Sequence, residues 1–326
     1  MAPSPLSPLR KALRPYRSVF VVYDRNVEAW ARQIAALRPG APLFALTADE
    51  AHKTPETALD ICRWLLVQGA DRKALLLAVG GGITTDLAGF AACIYKRGIH
   101  YANVPTTLLA QVDAGLGGKT GANLDGYKNM VGVIRQPEFV CILPGTLETL
   151  PDRAFRSGVA ELLKTFLIGD AAAYEKAVAL LRKGRPAPDD PELGGLIRRA
   201  AAIKQAIVDC DEQERGRRRV LNLGHTYAHA LEWYQQTHRC ADPLTHGEAV
   251  AVGLVCAARL SERLGLAQEG LARRIEDDLR ACGLPTALPC PEEALEEAVR
   301  KDKKAEGDQV CFVLLRSIGH VVLKKL

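Results

Sequence analysis

The sequence predicts two domains of different class, α/β plus all-α: an N-terminal Rossmann-like parallel-sheet domain over residues 1–150, then a mainly helical domain over 151–326. Three observations predict this. Short β-branched runs alternate with helical periodicity in the first half. One of these runs leads straight into Gly80-Gly81-Gly82, and beyond about residue 150 long helical periodicities take over. At 326 residues, each half is long enough to bury a core of its own.

Residues 18–23, Ser-Val-Phe-Val-Val-Tyr, form a buried-strand pattern that ends at Asp24. A weaker strand is expected at 43–46. Over 54–68, Ala58, Ile61, Leu65 and Leu66 keep helical spacing and Gly69 closes the helix. Residues 73–79 read as a central strand, 99–104 as a strand stopped by Pro105, and 140–143 as one more before Pro144. Strand, helix and Gly-rich turn in succession indicate a parallel sheet, whose ligands lie where the strand ends open. In the second half, helices are expected at 153–169, 171–183, 191–212, 225–237, 246–264 and 268–282, with a short hairpin from 310–315 and 320–323.

Composition excludes several classes. Hydrophobic residues make up 48% and charged residues 25%, as in ordinary globular proteins. The net charge of +5 is spread along the chain, which argues against a nucleic-acid partner. The one short basic run, Arg215 with Arg217, Arg218 and Arg219, fits a solvated helix end or loop. Nine cysteines without a C-x-x-C pair read as reduced thiols, so a cytoplasmic location is expected. Residues 1–17 lack the apolar block of a signal peptide, and no run approaches a membrane span, so no membrane partner is expected.

Three polar constellations remain. Glycines at 80–82, followed by Asp86, would let backbone N–H groups approach a pyrophosphate. A tight turn with no ligand fits equally well, and the G-x-G-x-x-G pattern is not met. His225 and His229 are four apart on one helix face, and His246 opens another helix. Glu161 shares a helix face with Lys164. Glu161, His225 and His246 would supply the three protein ligands of a zinc site open to substrate. A metalloprotease is excluded because Thr226 stands where H-E-x-x-H needs Glu. Taken singly, each histidine also fits a hydrogen-bonded core or surface residue. Finally, 113–129 is glycine-rich yet carries Lys119 and Lys128, which suits phosphate or polyol recognition as well as a loop whose lysines meet only water. Asp113 occupies the first glycine position of a Walker A loop, so ATP hydrolysis is not expected.

Eight ordered blocks resemble the 3-dehydroquinate synthase family of sugar-phosphate cyclases, from about residue 20 to the C-terminus. They are Gly-Gly-Gly-x-x-x-Asp-Leu-Ala-Gly-Phe (80–90), Tyr-Lys-Arg-Gly (95–98), Pro-Thr-Thr-Leu-Leu-Ala-Gln-Val-Asp (105–113), Gly-Gly-Lys-Thr-Gly-Ala-Asn (117–123), Lys-Asn-Met (128–130), Gly-x-Ala-Glu-x-x-Lys (158–164), Leu-Asn-x-Gly-His-x-x-x-His-Ala-x-Glu (221–232) and His-Gly-Glu-Ala-Val-Ala-x-Gly (246–253). The resemblance implies a metal site of Glu161, His225 and His246 holding Zn2+ or Co2+. It implies NAD+ contacts at Asp24, Asn26, Glu50, Lys53, Gly80, Gly81, Gly82, Asp86, Thr106, Thr107 and Lys128. It implies substrate contacts at Arg97, Asp113, Lys119, Asn129, Lys164, Lys204, Arg218 and Asn222, with Lys303 or Lys304 near the C-terminus. His229 and Glu214 match residues that handle protons, and Lys164 and Lys119 join them as catalytic candidates. Arg218 is thus expected to point inward. Thr85 stands where the family has glycine, and the segment 53–80 is a few residues short; neither change touches a charged catalytic position.

The implied reaction converts 3-deoxy-D-arabino-heptulosonate 7-phosphate to 3-dehydroquinate and phosphate, a carbon–oxygen lyase step of the shikimate route to aromatic amino acids. Transient oxidation by NAD, phosphate elimination, re-reduction and aldol closure leave the cofactor unchanged overall. Family habit implies a homodimer. The rivals are a sedoheptulose 7-phosphate cyclase, a metal-dependent polyol dehydrogenase and a catalytically dead, metal-stabilised scaffold.

Overall fold

Apolar runs flanked by amphipathic helices build the first half in the computed structural model, which describes residues 5–303 and 311–326. The chain divides into two compact units, Met1–Leu150 and Pro151–Leu326. The first opens with α1 (Ser7–Ala12), β1 (Val19–Asp24), α2 (Glu28–Ala35), β2 (Leu43–Leu46), α3 (Pro55–Val67), β3 (Leu75–Gly80), α4 (Gly82–Ile94) and β4 (His100–Pro105). The strands form one parallel sheet in the order β2-β1-β3-β4. Alternation on β1 explains the two-sided burial: Val19, Val21 and Tyr23 face α1 and α2 through Leu9, Leu13, Ala31 and Ile34. Phe20 and Val22 face α3 and α4 through Ala58, Ile61, Leu65, Leu87 and Ala88. Each such large apolar side chain contributes about 1.5–3 kcal/mol by leaving water.

Two expectations for this unit are corrected. The strand expected at 140–143 is only a single parallel bridge, Asn103 to Val140. The polar stretch 113–129, whose sequence fits a loop as well as an anion site, is largely a hairpin: β5 (Lys119–Leu124) pairs antiparallel with β6 (Tyr127–Ile134). Asp125 and Gly126 both have positive φ, 50° and 83°, the turn chemistry that right-handed strand twist prefers in a two-residue connection.

The second unit runs through α5 (Asp152–Gly169), α6 (Ala171–Leu181), α7 (Pro191–Cys210), α8 (His225–Thr237), α9 (His246–Arg263), α10 (Leu271–Ala281) and α11 (Glu292–Lys303) to the hairpin β7 (Cys311–Ser317) and β8 (His320–Lys325). α5 is buried continuously from Ser157 to Ile168, and α9 nearly so from Gly247 to Val255. They pack together with α8 as the core of this unit. Among the described residues no helix is long and apolar enough to cross a membrane.

Candidate functional site

Three helices of the second unit converge at Glu161. It lies mid-way along α5 and is 0% exposed. His225 is the first residue of α8 and His246 the first of α9. Glu161 Oε1 lies 3.5 Å from His225 Nε2 and 3.4 Å from His246 Nε2. Lys164 Nζ, one turn along α5, is 2.5 Å from Glu161 Oε2. The candidate ligand atoms of the three residues all lie within 4.8 Å of one another.

Close helix packing makes this convergence possible. A Cβ on Gly247 would sit 2.0 Å from the Ser157 carbonyl oxygen, and one on Gly253 would sit 2.2 Å from that of Gly224. Only hydrogen fits at either place, so α9 lies directly against α5 and against the turn that starts α8. The start of α9 is held in turn by a capping box: Thr245 Oγ1 accepts from Glu248 N–H, and Glu248 Oε2 accepts from Thr245 N–H at 2.7 Å. Arg153 donates to both Glu248 oxygens at 2.9–3.1 Å.

The electrostatics fit a cation. Neither Glu161 oxygen makes a hydrogen bond of normal geometry to a described residue. Burial would raise its pKa, but Lys164, His225 and His246 hold it well below the usual carboxylate range. Burial and Lys164 push His225 down to about 3, which leaves it neutral with a lone pair to give. Burial opposes the charge of His246, yet Glu161 and Glu232 raise it to about 10. A divalent cation would take the place of that imidazolium proton. One carboxylate and two imidazoles fit zinc or cobalt.

Other expected residues of this unit lie around these helices. Lys164, Lys204 and Arg218 are 1%, 6% and 2% exposed, and they sit on α5, α7 and the turn 217–222, which pack against one another. Arg215, Arg217 and Arg219 are exposed, while Arg218 Nη1 donates to the Glu212 carbonyl at 2.6 Å. Glu214 has φ +55° and accepts from Asn222 Nδ2 at 2.7 Å. His229 is exposed, its ring 5.5 Å from that of His225. Lys303 ends α11, but its side chain and the whole of Lys304 lie outside the described residues.

In the first unit, α4 begins at the glycine turn. Gly81 caps it with no side-chain hydrogen bond, so backbone N–H groups of the first turn are available to an anion. Packing also asks for glycine here, since a Cβ on Gly80 would sit 2.4 Å from Thr84 Oγ1. Thr85 Oγ1 donates to the Gly82 carbonyl at 3.0 Å, so its hydroxyl is absorbed within the helix. Thr106 is buried with its N–H on the Gly80 carbonyl, and Thr107 Oγ1 accepts from Ala110 N–H. Lys53 is 6% exposed and reaches Asp86 Oδ2 at 2.7 Å and Asn129 Oδ1 at 2.6 Å. Glu50 accepts from Asn123 Nδ2 at 2.8 Å, and Asp24 accepts twice from Asn26. Burial raises the Asp24 pKa against those bonds. Arg97, Lys119 and Lys128 are exposed, and Arg97 has φ +65°. Asp113 is half-buried in a π turn, Ala110–Ala114.

Sequence reasoning passed over several residues that hold these groups. Gln111 Nε2 reaches the carbonyls of Pro105 and Leu143 and Thr146 Oγ1, anchoring the turn that carries Asp113. Asn123 joins Glu50 to the Asn129 backbone. Asp211 accepts from three backbone N–H groups, of Arg215, Gly216 and Arg218, and so shapes the loop that presents Glu214 and Arg218. The helix expected over 191–212 hid Asp211, which in the structure follows the end of α7 at Cys210.

Known proteins align along most of the chain. The 3-dehydroquinate synthase N-terminal family matches residues 43–157 and the 3-dehydroquinate synthase C-terminal family matches 158–305. A 3-dehydroquinate synthase of Halorhodospira halophila is 43% identical over 315 residues, covering 94% of this chain and 86% of the relative. One from Acidithiobacillus ferrooxidans is 42% identical over 318 residues, covering 94% and 84%. The solved structure of 2-epi-5-epi-valiolone synthase from Streptomyces hygroscopicus, with NAD+ and Zn2+ bound, has a TM-score of 0.86 at 29% identity, covering 96% of this chain and 88% of that one. A 2-deoxy-scyllo-inosose synthase complexed with carbaglucose-6-phosphate, NAD+ and Co2+ has a TM-score of 0.84 at 26% identity, covering 98% and 91%. A probable glycerol dehydrogenase from Sinorhizobium meliloti, at 17% identity and a TM-score of 0.63, shares the fold alone. The chain belongs to the 3-dehydroquinate synthase family.

Proposed function

We propose that this chain is a 3-dehydroquinate synthase, a phosphate-eliminating carbon–oxygen lyase that makes 3-dehydroquinate from 3-deoxy-D-arabino-heptulosonate 7-phosphate in the shikimate pathway. The observation that carries the reading is the buried Glu161 carboxylate facing two imidazoles, with neither of its oxygens in a normal hydrogen bond to a described residue. Relatives of that name at 39–43% identity support the substrate.

Glu161, His225 and His246 would hold Zn2+ or Co2+, which when bound polarises a substrate carbonyl and acidifies a hydroxyl. Gly80, Gly81 and Gly82 with the start of α4 would hold the pyrophosphate of NAD+, whose nicotinamide accepts and returns a hydride. Asp24, Asn26, Glu50, Lys53, Asp86, Thr106, Thr107 and Lys128 would position the rest of that cofactor. The chain's own residues bind and orient. Lys164, Lys204 and Arg218 concentrate buried positive charge on three packed elements, which suits an anionic substrate. Arg97, Asp113, Lys119, Asn129, Asn222 and Lys303 complete the substrate contacts, with Arg suited to bidentate phosphate or carboxylate recognition. His229, one turn from His225 and open to solvent, would move a proton, and Glu214, which accepts from Asn222, would be the second proton-handling group. The reading includes a cytoplasmic homodimer with no nucleic-acid or membrane partner; the nine cysteines, all free thiols, agree with a reducing compartment.

The test is release of inorganic phosphate from the heptulosonate phosphate, with and without NAD+ and chelator, beside sedoheptulose 7-phosphate. Turnover of the first substrate alone, lost on chelation, is expected. Preference for sedoheptulose 7-phosphate would move the chain to a sister activity. Net NADH formation from a polyol would make it a dehydrogenase.

A further inference from the structure

We propose that Glu232 is a positioning residue for the metal centre, setting the tautomer and orientation of His246. The inference rests on the reading that Glu161, His225 and His246 hold a divalent cation. A neutral imidazole carries one N–H, so a histidine that ligates through Nε2 must keep its proton on Nδ1 and needs an acceptor there. His246 Nε2 faces Glu161 Oε1 at 3.4 Å, and on the opposite side Nδ1 faces Glu232 Oε1 at 3.4 Å. His225 follows the same plan with a neutral acceptor: its Nδ1 lies 3.3 Å from the Leu223 carbonyl while Nε2 faces Glu161.

The α8 helix supplies both parts of this arrangement. His225, His229 and Glu232 follow one another at i, i+4 and i+7, so they line a single helix face. One end of that face gives a ligand and the other gives the acceptor for a ligand borne by α9. His246 has special need of it. As the first residue of α9 it sits at the positive end of a helix dipole, with 34% of its side chain exposed, and its ring is not locked by packing alone. Glu232, with only 15% of its side chain exposed, provides a fixed anionic reference for that ring. A carboxylate acceptor also makes the imidazole a stronger donor to a metal than a carbonyl acceptor does, so the two histidines are expected to be unequal ligands.

The experiment compares full-length wild type, Glu232→Ala and Glu232→Gln. Zinc affinity is measured by competition with a chromophoric chelator, the ligand field by the visible absorption of the cobalt-loaded protein, and NAD+ affinity serves as a control. Glu232→Ala is expected to weaken zinc binding by about tenfold to a hundredfold and to shift the cobalt bands. Glu232→Gln, which keeps an acceptor but loses the charge, is expected to fall between, and NAD+ affinity to stay constant in both. Wild-type zinc affinity with an unchanged cobalt spectrum in both variants would overturn the role. Should Glu232→Ala not fold, Glu232→Gln decides by the same two readings. A wild type that takes up neither zinc nor cobalt would overturn the metal-centre reading itself, a separate failure seen before any variant is made.

Discussion

Around the glycine turn of the first unit, charged and amide side chains satisfy one another, whereas the second unit buries a carboxylate completely and, among the described residues, gives neither oxygen a normal hydrogen bond. Lys53 donates to both Asp86 and Asn129, so its ammonium is met within the unit. Glu161 is different. A buried carboxylate costs several kcal/mol unless it is paired and hydrogen-bonded, and here its neighbours are one ammonium and two imidazoles at ion-pair distance. On the proposed function, the first unit would meet its ligand with Lys53 and the backbone at the start of α4, and the second with the buried side chains around Glu161.

The strongest way to break this contrast is to remove a ligand. His225→Ala or His246→Ala should lower the rate of phosphate release by about a thousandfold or more, with the circular dichroism of the wild type retained. Wild-type rates in chelator would erase the distinction. Gly247→Ala should come next, because its methyl has no room beside the Ser157 carbonyl. A loss of about 3 kcal/mol is expected, read as a lower melting temperature together with weakened zinc binding and unchanged NAD+ affinity. Lys53→Met tests the other half: NAD+ should bind about tenfold more weakly while zinc affinity holds, since a charged hydrogen bond contributes about 1.5–3 kcal/mol.

The smallest effect separates pairing from burial. Asp170 caps α6 by accepting from Ala173 N–H at 3.0 Å and pairs with Arg199 at 2.7 Å, and these contacts hold its pKa down. A depressed carboxylate adds stability above its unfolded pKa of roughly 4, and that stability is lost as pH falls through the lower folded value. Asp170→Asn keeps a capping oxygen but cannot titrate. Its melting temperature should trail the wild type at neutral pH and draw level with it in acid. A gap that stays constant with pH would mean the carboxylate charge contributes nothing.

Much of this architecture was legible because burial writes a simple pattern. β1, β3 and β4 are buried on both faces and so read as continuous apolar runs, as their sequence alone indicates. β6 is exposed along most of its length, with Tyr127 and Met130 turned to solvent, and glycine and lysine there mimic a loop. Its one readable signal was Asp125-Gly126. The run at 140–143 has strand composition, but its ladder is limited to the bonds of Asn103 with Phe139 and Cys141, so composition outran pairing. Glu161, His225 and His246 could be nominated from residue type, and the helical spacing of α8 placed His229 beside His225. Glu232, Asp211 and Gln111 could not be assigned roles, because what each one does depends on a partner set by tertiary packing or turn geometry. Arg153 and Glu248, 95 positions apart, make the same point.

The two glycines of α9 carry a geometric consequence. Bonds between a metal and its donors tolerate errors of only about 0.2 Å. A methyl group at 247 would need at least about 1 Å of retreat to reach the shortest separation that real Cβ atoms show. The spacing of Glu161, His225 and His246 is therefore set by how closely α9 lies against the backbone of α5 and of the turn that starts α8. Changing the distances among Glu161, His225 and His246 would mean repacking α9 against its neighbours first.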